Sequence, residues 1–427
     1  MDLQQSAPRL WVLSFVALVG TMAIMSFVAV VGPITRLFGL ADWHAGLALT
    51  AGGVLWTLTA RRWGKLSDRV GRKQVLVVSL AAYAVTYLLL AVMVDAALGH
   101  PPALAVSLAV LVGARALVGL FYAAVPTVAA AAVADQAPPG KRASSMARLG
   151  AANAVGLVAG PVVAGWIATY DIALALYAAA LMPLAALGMI LWKLPETRPA
   201  AAPEATPEAV SEQANRQPEQ ASDPAPRQTP SAGFFDPRLR LPLTAMFVAI
   251  MAVATTQSTV GFLMLDRLAL SPAEGAAAAG YALTALGAGL ILAQSSMMRL
   301  EWPPLRWLLI GAVFAGAGFG SVAVLGTGWL IFLAFGLAGL GMGLVRPSIQ
   351  ALTADCVEAH EQGAAAGTVA SMQGLAMTLG PLVGTLLYGL SPAVPYLLVG
   401  GLLLLLALLL WRHHVSSTTT QPSGAAL

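Results

Sequence analysis

RRWGKLSDRVGRKQVL, residues 61–76, separates two long apolar stretches of the chain. It gathers six cations, Arg61, Arg62, Lys65, Arg69, Arg72 and Lys73, within thirteen residues, and sets Gly64, Asp68 and Gly71 among them. The chain around it is 58% hydrophobic and only 10% charged over 427 residues. Soluble domains carry roughly 25% charged residues. Such a cluster needs a solvated place just outside an apolar environment.

Working outward, apolar runs recur at 10–34, 43–60, 75–98, 103–134, 143–168, 172–192, 241–265, 275–298, 305–325, 329–354, 362–389 and 392–411. A helix of about 20 residues crosses ~30 Å of hydrocarbon, so these read as twelve spans. They are continuous and rich in Leu and Ala, whereas the strands of a barrel alternate. The expectation is an all-α membrane protein that crosses the bilayer many times. The first run is too long for a cleaved secretory signal and no cleavage-site pattern follows it. The single cysteine, Cys356, has no partner for a disulfide or metal site. All five histidines (His44, His100, His360, His413, His414) are expected in loops or the tail. No metal or other cofactor is therefore expected, and a membrane-embedded enzyme is disfavoured.

Short loops keep their cations on the cytoplasmic side. With the N-terminus inside, 19 of the 23 Lys and Arg fall on that side, Arg36 and Arg267 fall outside, and Arg115 and Arg346 lie within spans. Both termini are thus expected in the cytoplasm, with the protein in a plasma (inner) membrane. The net charge of +4 is accounted for by the anionic inner leaflet, without nucleic acid.

Residues 193–240 are rich in Pro, Ala, Gln and Glu and read as a flexible cytoplasmic linker. They separate a bundle at 1–192 from one at 241–412, with a disordered tail at 413–427. The halves match each other: an offset of 220 carries Gly119-Leu120 onto Gly339-Leu340, Ala134-Asp135 onto Ala354-Asp355 and Gly160-Pro161 onto Gly380-Pro381. Duplicated bundles joined by a flexible connector suit a transporter that rocks one half against the other around a midplane site.

Gly64-x-Leu66-x-Asp68-Arg69-x-Gly71-Arg72-Lys73-x-x-Leu76 resembles the signature between helices 2 and 3 of the major facilitator superfamily. Read by itself, the stretch allows close backbone approach or positive φ at Gly64 and Gly71. It also provides an anion, Asp68, to cap a helix or pair with a cation. The resemblance implies twelve helices in two pseudo-symmetric six-helix bundles, the major facilitator fold. It further implies a conformational latch in which Arg72 pairs with Asp135 at the end of span 4. A generic positive-inside loop would explain the cations but not the spaced glycines and aspartate.

Span 4 holds Arg115, where the resembled family has an arginine associated with proton coupling; the glutamine that follows it there is Val118 here. Gly119 and Tyr122 share its face. A cross-helix hydrogen-bond anchor is the competing role. Span 5 carries Gly156-x-x-x-Gly160-Pro161-x-x-Ala164-Gly165, echoed by Gly380-Pro381 in span 11. In the family this is an antiporter signature of exporters, with Ala164 a departure; read structurally, it is a kinked packing face. The family's cavity is lined by spans 1, 4, 7 and 10. That brings forward Gln257, in the run Thr255-Thr256-Gln257-Ser258-Thr259, together with Arg346 and Gln350. An unpaired intramembrane arginine is a functional hypothesis in itself, although a buried structural partner is the alternative. Asp266, at the outer end of span 7, either takes a proton, pairs with Arg267 or faces water.

No carboxylate is expected in the middle of any span, which disfavours a lipophilic cation and favours a neutral, zwitterionic or anionic substrate. Met22, Met25, Phe27, Trp56, Tyr83, Tyr87 and Tyr122 are candidates for an adaptable apolar wall, or for packing. The reading as a whole is a proton-coupled exporter of a small organic compound, resembling the drug:proton antiporter branch. Its partners would be that substrate, protons and membrane lipids, and it would work as a monomer. An importer or symporter on the same fold, and a non-transporting receptor, are the rivals. No phosphate-binding G-x-x-x-x-G-K-[ST] loop is present for an ATP-driven pump.

Overall fold

The computed structural model describes residues 7–99, 102–137, 141–194, 233–300, 302–325, 328–358 and 361–419. Most of the expected linker and the end of the tail lie outside the described residues. Twelve membrane helices follow in order: α1 (Ala7–Leu37), α2 (Asp42–Val70), α3 (Arg72–Gly99), α4 in two segments (Leu104–Tyr122 and Ala124–Gln136), α5 (Arg142–Ala168), α6 (Ile172–Lys193), α7 (Arg240–Leu268), α8 (Pro272–Met297), α9 (Pro304–Val324), α10 (Leu330–Asp355), α11 (Gln362–Leu390) and α12 (Val394–Thr419). Eleven are long and apolar enough to cross a membrane on composition alone. The exception is α2, diluted by His44, Thr50, Gly52, Gly53, Thr57 and Thr59. It is one of the helices that pack against the other half.

Local chemistry sets the ends. Asp171 caps α6 by accepting from the Leu174 amide at 3.0 Å, and Ser271 with Glu274 forms a capping box ahead of Pro272. The cation-rich stretch 61–70 is helical and not a loop, a correction to the expected end of span 2 at residue 60. Outside hydrocarbon the helix can continue with its charges in water, and it stops where Gly71 takes φ 110°. Gly64 is ordinary helix, and a Cβ there would meet only the Thr127 methyl at 3.5 Å. Span 4 breaks at Ala123, just before Pro126, whose ring has no N–H to give the Tyr122 carbonyl. The expected linker end is also ordered: a turn at Pro237–Leu239 leads into α7, and Leu239 is buried. His44 lies in the first turn of α2 and is buried, contrary to its expected loop position.

The contacts repeat six helices on. α1 packs on α5 as α7 packs on α11; α2 on α4 as α8 on α10; α3 on α6 as α9 on α12. Atomic detail follows the same symmetry. A Cβ on Gly119 would strike the Gly52 carbonyl of α2, and one on Gly339 the Leu286 carbonyl of α8. Ser26 of α1 donates to the Gly160 carbonyl at 3.2 Å, and Thr255 of α7 to the Gly380 carbonyl at 3.4 Å. Each hydroxyl bonds the carbonyl of the glycine that precedes a mid-helix proline, at the same place in both halves.

The halves meet along α2–α11, α5–α8 and α1–α7. At the end opposite the cation-rich stretch they touch closely. A Cβ on Gly32 would lie 2.8 Å from the Phe262 amide, one on Gly165 would lie 2.8 Å from the Ala276 carbonyl, and Gly46 abuts Thr385. Toward the basic end α2 and α11 diverge around a groove of about 620 Å³. The halves are in close contact at one end, and α2 and α11 part around this groove toward the other.

Candidate functional site

Between the halves lies a narrow cavity of about 70 Å³. Its polar lining residues are Arg115 of α4 and Gln257 of α7, accompanied by Met25, Trp56, Met377 and Pro381. It is narrow in this state, with room for a few waters. None of its lining residues is a carboxylate.

Arg115 is 5% exposed. Its Nη1 donates to the Tyr87 hydroxyl at 3.4 Å, its Cζ lies 4.4 Å over the Phe27 ring, and its Nε has no hydrogen-bond partner. No acid neutralises it among the described residues. A buried guanidinium set on one ring face and one phenol, with its Nε–H unused, has donor capacity left over. Tyr87 is fixed in turn by donating to the Ala23 carbonyl at 2.7 Å. Tyr122 turns elsewhere, sharing a 2.9 Å bond with Thr21, whose hydroxyl donates to Asn153 at 2.7 Å. Of the aromatic and thioether candidates, Met25 and Trp56 reach the cavity, whereas Phe27, Tyr83 and Tyr87 are fully buried in the N-terminal bundle.

The two candidates from span 10 do not join this site. Neither Arg346 nor Gln350 lines the cavity; Gln350 is exposed, and the Arg346 Nε is buried without a hydrogen-bond partner. In the hydroxyl run, Thr255 serves the Gly380 carbonyl, Thr259 bonds Tyr396 at 2.9 Å, and only Gln257 faces the cavity, with its amide 4.0 Å from the Met25 sulfur. Gly156 and Gly160 of α5 pack against α1, whereas Gly165 crosses to α8. Pro161 and Pro381 are both buried, and Pro381 borders the cavity.

At the basic end Arg72 is buried. It donates to Asp135 at 3.0 Å and to Ser67 at 2.6 Å, and it pairs with Asp68 at 2.6 Å. Arg61, Arg62, Lys65 and Arg69 are exposed and Lys73 half-buried. All of these partners of Arg72 belong to the N-terminal bundle. The C-terminal bundle has its own cluster, in which Arg238 bonds Asp236 and Glu361, each at 2.8 Å. The Arg238 side chain and amide hold the Asp236 carboxyl below its usual value.

A third cluster went unseen in the sequence. At the closed end Arg36 of α1 bonds Asp42 of α2 at 2.9 Å and Asp266 of α7 at 3.1 Å, and Tyr388 of α11 donates to Asp266 at 2.8 Å. Asp266 thus does not pair with Arg267, which instead donates to the Ala323 carbonyl at 2.7 Å. A signal was present, since Arg36 and Arg267 are the two cations that break the charge asymmetry. Each has a specific partner where a solvated loop would have needed none.

Two matched six-helix bundles around a central cavity are the architecture of a membrane transporter. The family model described as Major Facilitator Superfamily matches residues 10–333 and 243–426, and the chain belongs to that family of transporters, which are not enzymes. Among curated relatives, the tetracycline resistance protein of class B from Escherichia coli is 24% identical over 349 residues, covering 81% of this chain and 79% of the relative. The class G protein from Vibrio anguillarum is 27% identical, covering 81% and 80%. Among solved structures, the bacterial homologue of the human lysosomal transporter Spinster, in an inward-facing and unoccupied conformation, superposes with a TM-score of 0.71 at 14% identity over the full length of both chains. The human organic anion transporter MFSD10 (TETRAN) gives 0.60 at 21% identity, covering 95% of this chain and 99% of that one. These relatives agree with the resemblance to the drug:proton antiporter branch drawn from the motifs.

Proposed function

We propose that the protein exports a small organic compound carrying an anionic or zwitterionic group, or a neutral one of similar shape, in exchange for protons. One observation carries the substrate class: the cavity presents an unneutralised, nine-tenths buried arginine and no carboxylate. A permanent cation brought to that point would meet repulsion in a low dielectric, while an anion would gain charge-assisted bonds. The tetracycline resistance relatives and the glycine–proline pattern of α5 support export.

In this reading the basic end faces the cytoplasm, because its cations belong beside the anionic leaflet. The structure then stands inward-facing. Arg72, Asp68 and Asp135 are a latch at rest, free to engage the other bundle once the cytoplasmic side closes. Asp266 is the favoured proton acceptor. When protonated it loses its charge attraction to Arg36, and the outer end is freed to open. Asp135 is the second candidate.

Everted vesicles under an imposed pH gradient test the proposal with tetracycline, an aromatic carboxylate and a quaternary ammonium dye. Uptake of the first two, requiring the gradient and lost in Arg115→Gln, is expected. Preferred uptake of the quaternary cation, indifferent to Arg115→Gln, would overturn the substrate class. Gradient-driven uptake unchanged in both Asp266→Asn and Asp135→Asn would overturn the proton sites.

A further inference from the structure

The groove between α2 and α11 begins where the cavity stops. Gly53 and Met377 line the cavity, and their neighbours Val54 and Thr378 line the groove. The partition is one residue thick: a Cβ on Gly53 would touch the Thr378 hydroxyl at 3.4 Å, and Thr50 donates to the Thr378 carbonyl at 2.9 Å. Beyond it the walls are Leu58, Gly374, Leu375 and, from the approach to α7, Phe234.

Two properties suit this groove to hydrocarbon. Its lining residues carry no charge, and two of its hydroxyls are spent on their own helices: Thr57 donates to Gly53 and Ser371 to Gly367, both at 2.9 Å. Its apolar walls also lack protein cover. Leu58 is 60% exposed, with Leu375 and Phe234 near half. The leftover apolar surface lies on the seam between the bundles, with Leu58 six residues along α2 from Gly52, which packs on the Arg115 backbone carbonyl, roughly 9 Å at the helical rise.

We propose that the groove binds the apolar body of an amphipathic anion whose charged group sits at Arg115, so that such a compound reaches the cavity sideways from the adjoining bilayer leaflet. This rests on the anionic reading of the cavity proposed above. Continuity of groove and cavity, and the division of charge between them, favour such a substrate over a bound lipid. A phospholipid has no reason to end at a buried arginine.

Gly374 makes the test clean, because a side chain built there meets nothing within 4 Å and would project into open space. The probes are N-dansylglycine and N-dansyl-11-aminoundecanoate, carboxylates sharing a fluorophore and differing by nine methylenes. Binding is read by anisotropy in nanodiscs of one lipid composition, so that partitioning cancels between variants. Referred to free probe in water, with the uptake by empty nanodiscs subtracted, each methylene fully buried strengthens binding about 4-fold, so even partial seating should make the wild type hold the long probe at least ~10-fold tighter than the short one. Gly374→Trp should erase that advantage and leave the short probe unchanged, Leu58→Ser should reduce it, and Arg115→Gln should weaken both probes. An unchanged long-to-short ratio in Gly374→Trp, with both probes still dependent on Arg115, would overturn the groove alone and assign it to lipid. Failure of the wild type to bind either probe would overturn the anionic reading and the groove together.

Discussion

The two ends of the molecule use the same chemistry in opposite ways. At the closed end one ion cluster joins three helices of both bundles: Arg36 and Asp42 from the first, Asp266 from the second, with Tyr388 on Asp266. Toward the basic end Arg72 pairs with Asp68 and Asp135 within one bundle, and Arg238 with Asp236 and Glu361 within the other. None of the pairs is strong, since partly exposed ion pairs contribute about 0–1 kcal/mol. Their direction still matters. A weak contact across the halves holds one conformation, and a weak contact within a half holds none, because it survives the rocking. In this conformation, contacts inside a bundle leave the balance between states unbiased, and contacts between bundles bias it.

The largest expected effect falls on a contact inside a bundle. Gly119→Leu drives a side chain into the Gly52 backbone, and Gly339→Leu does the same at Leu286. Overpacking typically costs about 1–3 kcal/mol, and here backbone meets backbone without flexible atoms to yield. Both variants should lose much of the monodisperse protein recovered in detergent. Gly374→Leu, facing open space, should not. Equal recovery of all three would break the account of the bundle interiors.

Next comes the cavity, where the two halves share one site. Arg115→Gln removes the charged donor and keeps a polar end. Hydrogen bonds to charged groups contribute about 1.5–3 kcal/mol, so transport of an anionic substrate should fall roughly 10- to 100-fold. Thermal stability in detergent should be little altered. A fall in stability with unchanged transport would make Arg115 a structural anchor.

The contacts between bundles should respond more gently. Asp266→Asn removes one weak cross-half pair, shifting the balance toward an open outer end by up to ~5-fold. With Cys356→Ser as background, a cysteine at Ala41 reports this through faster labelling by an impermeant maleimide. Smallest of all, Asp135→Asn breaks a pair within one bundle. It should leave that labelling rate within about 2-fold of the parent while changing the transport rate. If Asp135→Asn opened the outer end as far as Asp266→Asn, the distinction between the two ends would fail.

Much of this was legible in the chain. The twelve runs mark helices to within a few residues except where charge follows them, as in 61–70. A hydropathy reading ends the span where solvation of charge begins, although backbone hydrogen bonds carry the helix on to Gly71. The break at Ala123 was hidden for the opposite reason, inside an uninterrupted apolar run in which Pro126 is the only mark. The internal repeat was visible, and Gly119 with Gly339 now shows its physical content. Each is a glycine because a neighbouring backbone leaves no room for a Cβ.

The sequence by itself determined the class, the helices and the basic end, because length, hydropathy and charge are local quantities that the bilayer reads residue by residue. The tertiary structure alone decided which arginine faces the cavity and which does not. Arg115 and Arg346 are alike in sequence as lone cations in apolar helices, and only Arg115 lines the cavity between the halves. It likewise decided that Arg36 and Asp266, 230 residues apart, meet across the two bundles. Partners so distant in sequence are brought together by packing, and no local pattern encodes them.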